Sequence, residues 1–326
     1  MSDLKSKLLS LVSSRLLEYI DTKNIVGGIL DRLAGRNAST GILERLEALV
    51  DYLHRYGYLG GADRDKVGLP EIIRGVILFR KMFHLGEPEN EATPIDPEVL
   101  SAINYPRCAC TDFDPNSSLA LESEDATNQG YWGLKTLTWF LKKPVRALPV
   151  DVQKRLINKV YNNISSICDL EFREVGQENQ ANLVITCGTT GDLGKSGGVL
   201  AFAYLPPSPN FKGQLTLVMD DAEAWLDTGS TGRGIYYENV FAHESGHSLG
   251  MSHCNTRGAL MQPYYDPNIP KPVSPDDVER LQALYGKPKA KPVPPIQPNP
   301  SNPSEDEMTI ILNGTITIPG YLIVKK

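Results

Sequence analysis

Histidine is scarce in this chain. Of 326 residues only His54, His84, His243, His247 and His253 are histidines, and the last three fall within eleven positions. A site built on imidazole must draw on that cluster. Long apolar runs are missing too: none approaches the roughly 20 residues that span a bilayer, so no transmembrane segment is predicted. Positive charge is not concentrated anywhere, and the formal charge of -6 comes without a basic run or a basic aromatic face, which argues against a nucleic-acid partner. Residues 1–24 hold leucines interrupted by Ser, Arg, Glu and Lys, with no small-residue cleavage site after them, so no clear signal peptide is read. Cysteine occurs five times, an odd count in a chain too large to need a disulfide scaffold. At least one thiol is therefore free, shared between chains or bound to metal.

What is present fits a soluble chain of two or three domains, with 41% hydrophobic and 22% charged residues. Leu4, Leu8, Leu11, Val12, Leu16 and Ile20 recur at helical spacing and predict an amphipathic helix over 3–20. A second helix is predicted over 41–55 and a third over 69–85, with Pro70 in its first turn and Gly86 beyond its end. Asp96-Pro97 reads as an N-cap and N1 pair opening a short helix through Ile103. Residues 113–130 are polar and breaker-rich, an exposed loop.

After that loop the pattern changes to short β-type runs at 136–140, 170–175, 182–187, 199–205 and 214–219, with a helix over 150–164. The β-α-β order implies a mixed, largely parallel sheet, hence an α+β fold. Residues 287–306 carry seven prolines in twenty positions and read as a semi-extended linker. The closing 307–326 predicts a β-hairpin around Asn313-Gly314.

The run from His243 to His253 spells H-E-S-G-H-S-L-G-M-S-H. On a helix, His243 and His247 lie one turn apart and present two imidazoles to one side, as a zinc ion requires. Gly250 permits a positive φ that lets the chain leave the helix and bring in His253 as a third ligand. Three protein ligands leave a position open, the arrangement of a catalytic zinc. Glu244 is placed to take a proton from a water held there, which then attacks a polarised peptide carbonyl. This is the HExxHxxGxxH pattern of the metzincins.

Other residues narrow the likeness to the matrixins, the family of matrix metalloproteinase type. Ala259-Leu260-Met261-Gln262-Pro263-Tyr264-Tyr265 is similar to the family's Met-turn and the pocket wall after it, with Met261, Pro263 and Tyr265 at matching positions. The stretch 274–286 resembles its last helix, Leu137-Thr138-Trp139 its first strand, and Gly198-Val199-Leu200-Ala201 the edge strand that pairs with substrate. Pro106-Arg107-Cys108, with Asp112 beyond it, is similar to the cysteine switch that closes matrixin prodomains.

The resemblance implies a latent zinc endopeptidase acting on protein or peptide substrates. Residues 1–40 would be a helical extension and 41–112 a helical, peptidoglycan-binding-like prodomain acting as intramolecular inhibitor. The stretch 113–130 would be an activation loop and 131–286 the catalytic domain. By the same likeness Cys108 occupies the open zinc position, Arg107 and Asp112 pair to hold the switch, and substrate lies along Leu200 and Ala201. Ala109, Cys110 and Thr111 depart from the family's Gly-X-Pro.

Asn239 lies either near the pocket floor or on a solvated helix face. Cys254 reads as a small buried residue rather than a ligand. Cys168 and Cys187 are a conceivable bridge whose pairing spacing does not decide. The family's second, structural zinc has no ligands left here: its strand positions align with Phe202 and Val218, and the loop at 191–198 has no histidine, so one zinc is expected. Asp220 and Glu223 resemble its calcium ligands. The zymogen likeness implies an extracellular or cell-surface protein. A module that binds cell wall or polysaccharide through the helical region is the alternative function.

Overall fold

The computed structural model describes residues 8–16, 38–114, 130–191, 193–265 and 273–289. The predicted C-terminal hairpin lies outside them, as do most of the proline-rich linker and of the 113–130 loop.

Three helices build the first region: α1 (Ala38–Arg55), α2 (Leu69–Met82) and α3 (Pro97–Ala102). Pro70 sits in the first turn of α2, where its missing N–H costs nothing, and Gly86 follows the helix with φ +73°. Asp96 caps α3 by accepting from Val99 N at 3.0 Å, and its other oxygen receives Arg80 Nη1 at 2.5 Å. Both side chains of that pair are buried. Leu46, Leu49, Val50 and Leu53 of α1 pack with Ile72, Val76 and Phe79 of α2 in one core.

Leu8, Leu11, Val12 and Leu16 enter the same core, but not on the continuous helix that their spacing predicts. The helical turns at 8–10 and 14–16 are separated by a bridge from Val12 to Ile95, with Ser13 N donating to Ile95 O at 2.8 Å and Ile95 N to Leu11 O at 3.2 Å. That non-local pairing satisfies the backbone at 11–13 and breaks the helix there.

The second region is a six-stranded sheet in the order β1-β5-β6-β4-β2-β3, formed by β1 (Arg107–Cys108), β2 (Thr136–Leu141), β3 (Glu171–Glu174), β4 (Leu183–Gly188), β5 (Val199–Ala203) and β6 (Leu215–Asp220). Only β5 against β6 is antiparallel. Helix α4 (Val150–Ile167) buries Leu156, Ile157, Val160, Tyr161 and Ile164, which recur at three- and four-residue intervals, in the core that also holds Leu137, Trp139 and Ile185. A two-stranded ribbon, β7 (Trp225–Leu226) and β8 (Ile235–Tyr236), leads into α5 (Tyr237–Ser248), and α6 (Pro275–Tyr285) follows.

Strand β1 belongs in sequence to the helical region yet extends the sheet beside β5, parallel to it. No strand pattern in the sequence marks it, because its geometry comes from its neighbours. All five cysteines are free thiols. The conceivable Cys168–Cys187 bridge is thus not formed: Cys168 donates to Ile164 O at 3.4 Å and Cys187 to Pro144 O at 3.2 Å.

Candidate metal centre

Helix α5 carries His243, Glu244 and His247 on a face that is wholly buried. Its end is tied down from outside, as the last carbonyls of a helix require. Trp132 Nε1 donates to Ser248 O at 2.6 Å and the Tyr285 hydroxyl to Leu249 O at 2.7 Å. Gly250 then turns the chain with φ +95°, and a Cβ there would stand 2.2 Å from Gly130 O, so both conformation and space demand glycine. The turn delivers His253.

The three rings meet. His253 Nε2 lies 3.2 Å from His243 Nε2 and 3.0 Å from His247 Nε2. Each Nδ1 faces an acceptor: Leu260 O at 2.7 Å for His243, Met251 O at 2.7 Å for His247 and Asp112 Oδ1 at 2.7 Å for His253. Those acceptors place the ring proton on Nδ1 and leave the Nε2 lone pairs converging. Burial pulls the His253 pKa down, and against the opposing pull of Asp112 it stands at about 4, whereas at His247 burial is outweighed by Cys110 and Glu244 and the pKa stands at about 9, so that ring has to give up a proton to bind a metal.

Cys108 Sγ and the three imidazole nitrogens lie within 4.8 Å of one another. Three nitrogens and one sulfur form a donor set suited to tetrahedral zinc. Burial pushes the Cys108 thiol up, so a cation at the site is what makes its thiolate the stable form. Met261 underlies the site: a Cβ on Gly246 would stand 2.4 Å from Met261 Sδ, which fixes glycine between the two ligating positions of α5.

The segment 106–109 is held on both flanks. Arg107 N donates to Gly198 O at 3.0 Å and Ala109 N to Ala201 O at 3.0 Å on one side. On the other, Cys108 N donates to Pro263 O at 3.0 Å and Tyr265 N to Pro106 O at 2.7 Å. The edge formed by Leu200 and Ala201 and the wall formed by Pro263 and Tyr265 are therefore both engaged by 106–109. A cavity beside Cys108 is bordered by Leu200, Asn239, Glu244, Pro263 and Tyr265. Asn239, which the sequence leaves open between pocket and solvated face, thus borders the cavity.

Arg107 and Asp112 pair in full burial, Nη2 to Oδ1 at 2.6 Å and Nη1 to Oδ2 at 3.1 Å. The Tyr58 hydroxyl adds a hydrogen bond to Asp112 Oδ2 at 2.5 Å, the Tyr52 hydroxyl accepts from Arg107 Nη1, and Arg107 Cζ stands 3.4 Å from the centre of the Tyr56 ring. Burial alone would raise the Asp112 pKa, but Arg107 and the His253 hydrogen bond hold it at about 2. Nothing in the sequence singles out these tyrosines or links Asp112 to His253, which lies 141 positions away.

Cys254 is buried, as read. Asp220 accepts from Gly194 N at 2.7 Å and Ala222 N at 2.8 Å, and Glu223 from Gly197 N at 2.6 Å and the Ser196 hydroxyl at 3.1 Å, so both carboxylates bind the 191–198 loop. Phe202 and Val218 face each other directly across β5 and β6. Among the described residues no helix is long and apolar enough to cross a membrane.

Residues 131–286 match the family model described as matrixin. Matrix metalloproteinase-18 of Xenopus laevis is 32% identical over 291 residues, covering 85% of this chain and 57% of that protein. Interstitial collagenase of Equus caballus is 31% identical over 239 residues, 71% of this chain and 47% of its own. Human matrix metalloproteinase-25 is 30% identical over 258 residues, 73% and 44%. The chain thus spans about half the length of these curated relatives.

Proposed function

Because the chain belongs to the matrixin family through residues 131–286, we propose that it is a zinc-dependent endopeptidase held latent by its own N-terminal region. The observation that carries this reading is the convergence of three imidazole nitrogens on Cys108 Sγ, with fully buried Glu244 beside them. A bound zinc supplies a Lewis acid that polarises a peptide carbonyl and acidifies a water. His243, His247 and His253 hold it, with their Nδ1 protons fixed by Leu260 O, Met251 O and Asp112. Glu244 accepts the proton of the attacking water and passes it to the leaving amine.

Latency follows from where 106–109 lies. A substrate would add to the free edge of β5 by main-chain hydrogen bonds and send a side chain toward Asn239, Pro263 and Tyr265. The switch segment holds that edge, and Cys108 takes the position that water needs. Removal of the prodomain by cleavage within the loop 114–130 would expose both. Phe202 and Val218 carry no metal-binding atoms, so we assign one zinc per chain; calcium at Asp220 and Glu223 would have to compete with the backbone N–H groups they now accept. By likeness to relatives named for the matrix, the site of action is extracellular or at the cell surface.

The test is turnover of a generic protein substrate by the full chain before and after limited proteolysis in the loop 114–130. Activity is expected only afterwards and only with zinc. An uncleaved chain as active as the processed one would overturn the latency, and a zinc-loaded processed chain without activity would overturn the peptidase reading.

A further inference from the structure

A second thiol stands at this site. Cys110 Sγ lies within 4.8 Å of Cys108 Sγ, of a Glu244 carboxylate oxygen and of a His247 ring nitrogen, a donor set that shares Cys108 and His247 with the proposed zinc ligands. The strand ends at Cys108 and the chain bends at 109–110. Ala109 N is anchored to Ala201 O at 3.0 Å, Cys110 N donates to Cys108 Sγ at 3.3 Å, and Cys110 Sγ reaches Ala203 O at 3.4 Å. Both thiols are therefore delivered by one short tether pinned to β5.

On these contacts we propose that Cys108 and Cys110 form a two-thiol lock, in which Cys110 binds the zinc whenever Cys108 is absent. The inference rests on the reading of Cys108 as the latent ligand and adds a metal-binding role for Cys110. In the intact lock Cys108 fills the open coordination position. Cys110 Sγ lies within 4.8 Å of a Glu244 carboxylate oxygen, so the second thiol is held near the proposed base. Without the Cys108 sulfur, a thiol already within 4.8 Å of Glu244 and His247 has only a short distance to travel. A soft thiolate is preferred by zinc over water. Loss of either cysteine alone then leaves the chain latent.

The full uncleaved chain is loaded with cobalt(II) in place of zinc, and the thiolate-to-cobalt charge-transfer absorption is recorded for the parent, Cys108→Ala, Cys110→Ala and the double variant. The band is expected in the first three and lost in the fourth. Cys108→Ala without the band, beside a parent that shows it, overturns the proposal while leaving the Cys108 reading intact. A parent without the band overturns both. Alkylation of Cys108→Ala with iodoacetamide, mapped by mass spectrometry, is a second readout that does not depend on catalysis. Cys110 should be protected in the metal-loaded chain and labelled after chelation; equal labelling in the two states counts against the lock.

Discussion

Replacing Asp112 by alanine should open the proposed latent form while leaving His243, His247 and Glu244 in place, with His253 losing the acceptor of its Nδ1 proton. The Asp112 carboxylate is fully buried and binds Arg107 twice, at 2.6 and 3.1 Å, the Tyr58 hydroxyl at 2.5 Å and His253 Nδ1 at 2.7 Å. Alanine leaves the Arg107 guanidinium buried without its carboxylate. Removing one partner of a buried ion pair costs about 3 to 5 kcal/mol. The segment that bears both residues also holds the cleft through Ala109 N to Ala201 O and Cys108 N to Pro263 O. Most of the cost therefore falls on the docked state, and at 1.36 kcal/mol per tenfold the open fraction should rise by about two to three and a half powers of ten. Hydrogen exchange of the Cys108, Ala109 and Tyr265 amides reads that equilibrium directly, and those amides should lose protection while the amides of α4 keep theirs. Unchanged protection at the three amides in the variant would refute the assignment of the pair as the clamp of the latent state.

Glu244→Ala should retain zinc and lose turnover of the processed chain by about 10² to 10⁴-fold, the usual effect of removing a general base; near-parental turnover in the zinc-loaded variant would remove Glu244 from the mechanism. Gly246→Ala would bring a methyl to 2.4 Å from Met261 Sδ, and the overpacking should destabilise the domain by about 1 to 3 kcal/mol. Thermal unfolding tests it, with an unshifted midpoint counting against close packing there. Elemental analysis of calcium-stripped protein should return one zinc per chain, because the Phe202 and Val218 pair offers no ligand; a reproducible second zinc would contradict this.

The residues of the site were legible because zinc chemistry constrains spacing. Two histidines at i and i+4, a glycine to turn the chain and a third histidine define a geometry that few other purposes need, and the starts of the helices at 69 and 97 followed from Pro70 and Asp96, whereas the helix read over 69–85 ends at Met82, short of Gly86. What the sequence hid was non-local. Strand β1 exists only because Gly198, Ala201 and Pro263 hold it, so no local pattern encodes it. The break at 11–13 depends on Ile95, some eighty positions on. Tyr52, Tyr56 and Tyr58 read as ordinary aromatic residues until the fold sets them around Arg107 and Asp112. The small β7–β8 ribbon, two residues per strand, is too short for alternation to show.

The coordination of zinc in the uncleaved chain bears most directly on the central claim that Cys108 closes a three-histidine zinc site. X-ray absorption at the zinc edge should show about three nitrogen neighbours near 2.0 to 2.1 Å and one sulfur near 2.3 Å. After removal of residues 1–114 and the loop that follows, the sulfur should be gone and a light-atom neighbour should stand in its place. A zinc with no sulfur neighbour in the uncleaved chain, or an unchanged sulfur after processing, would contradict the account.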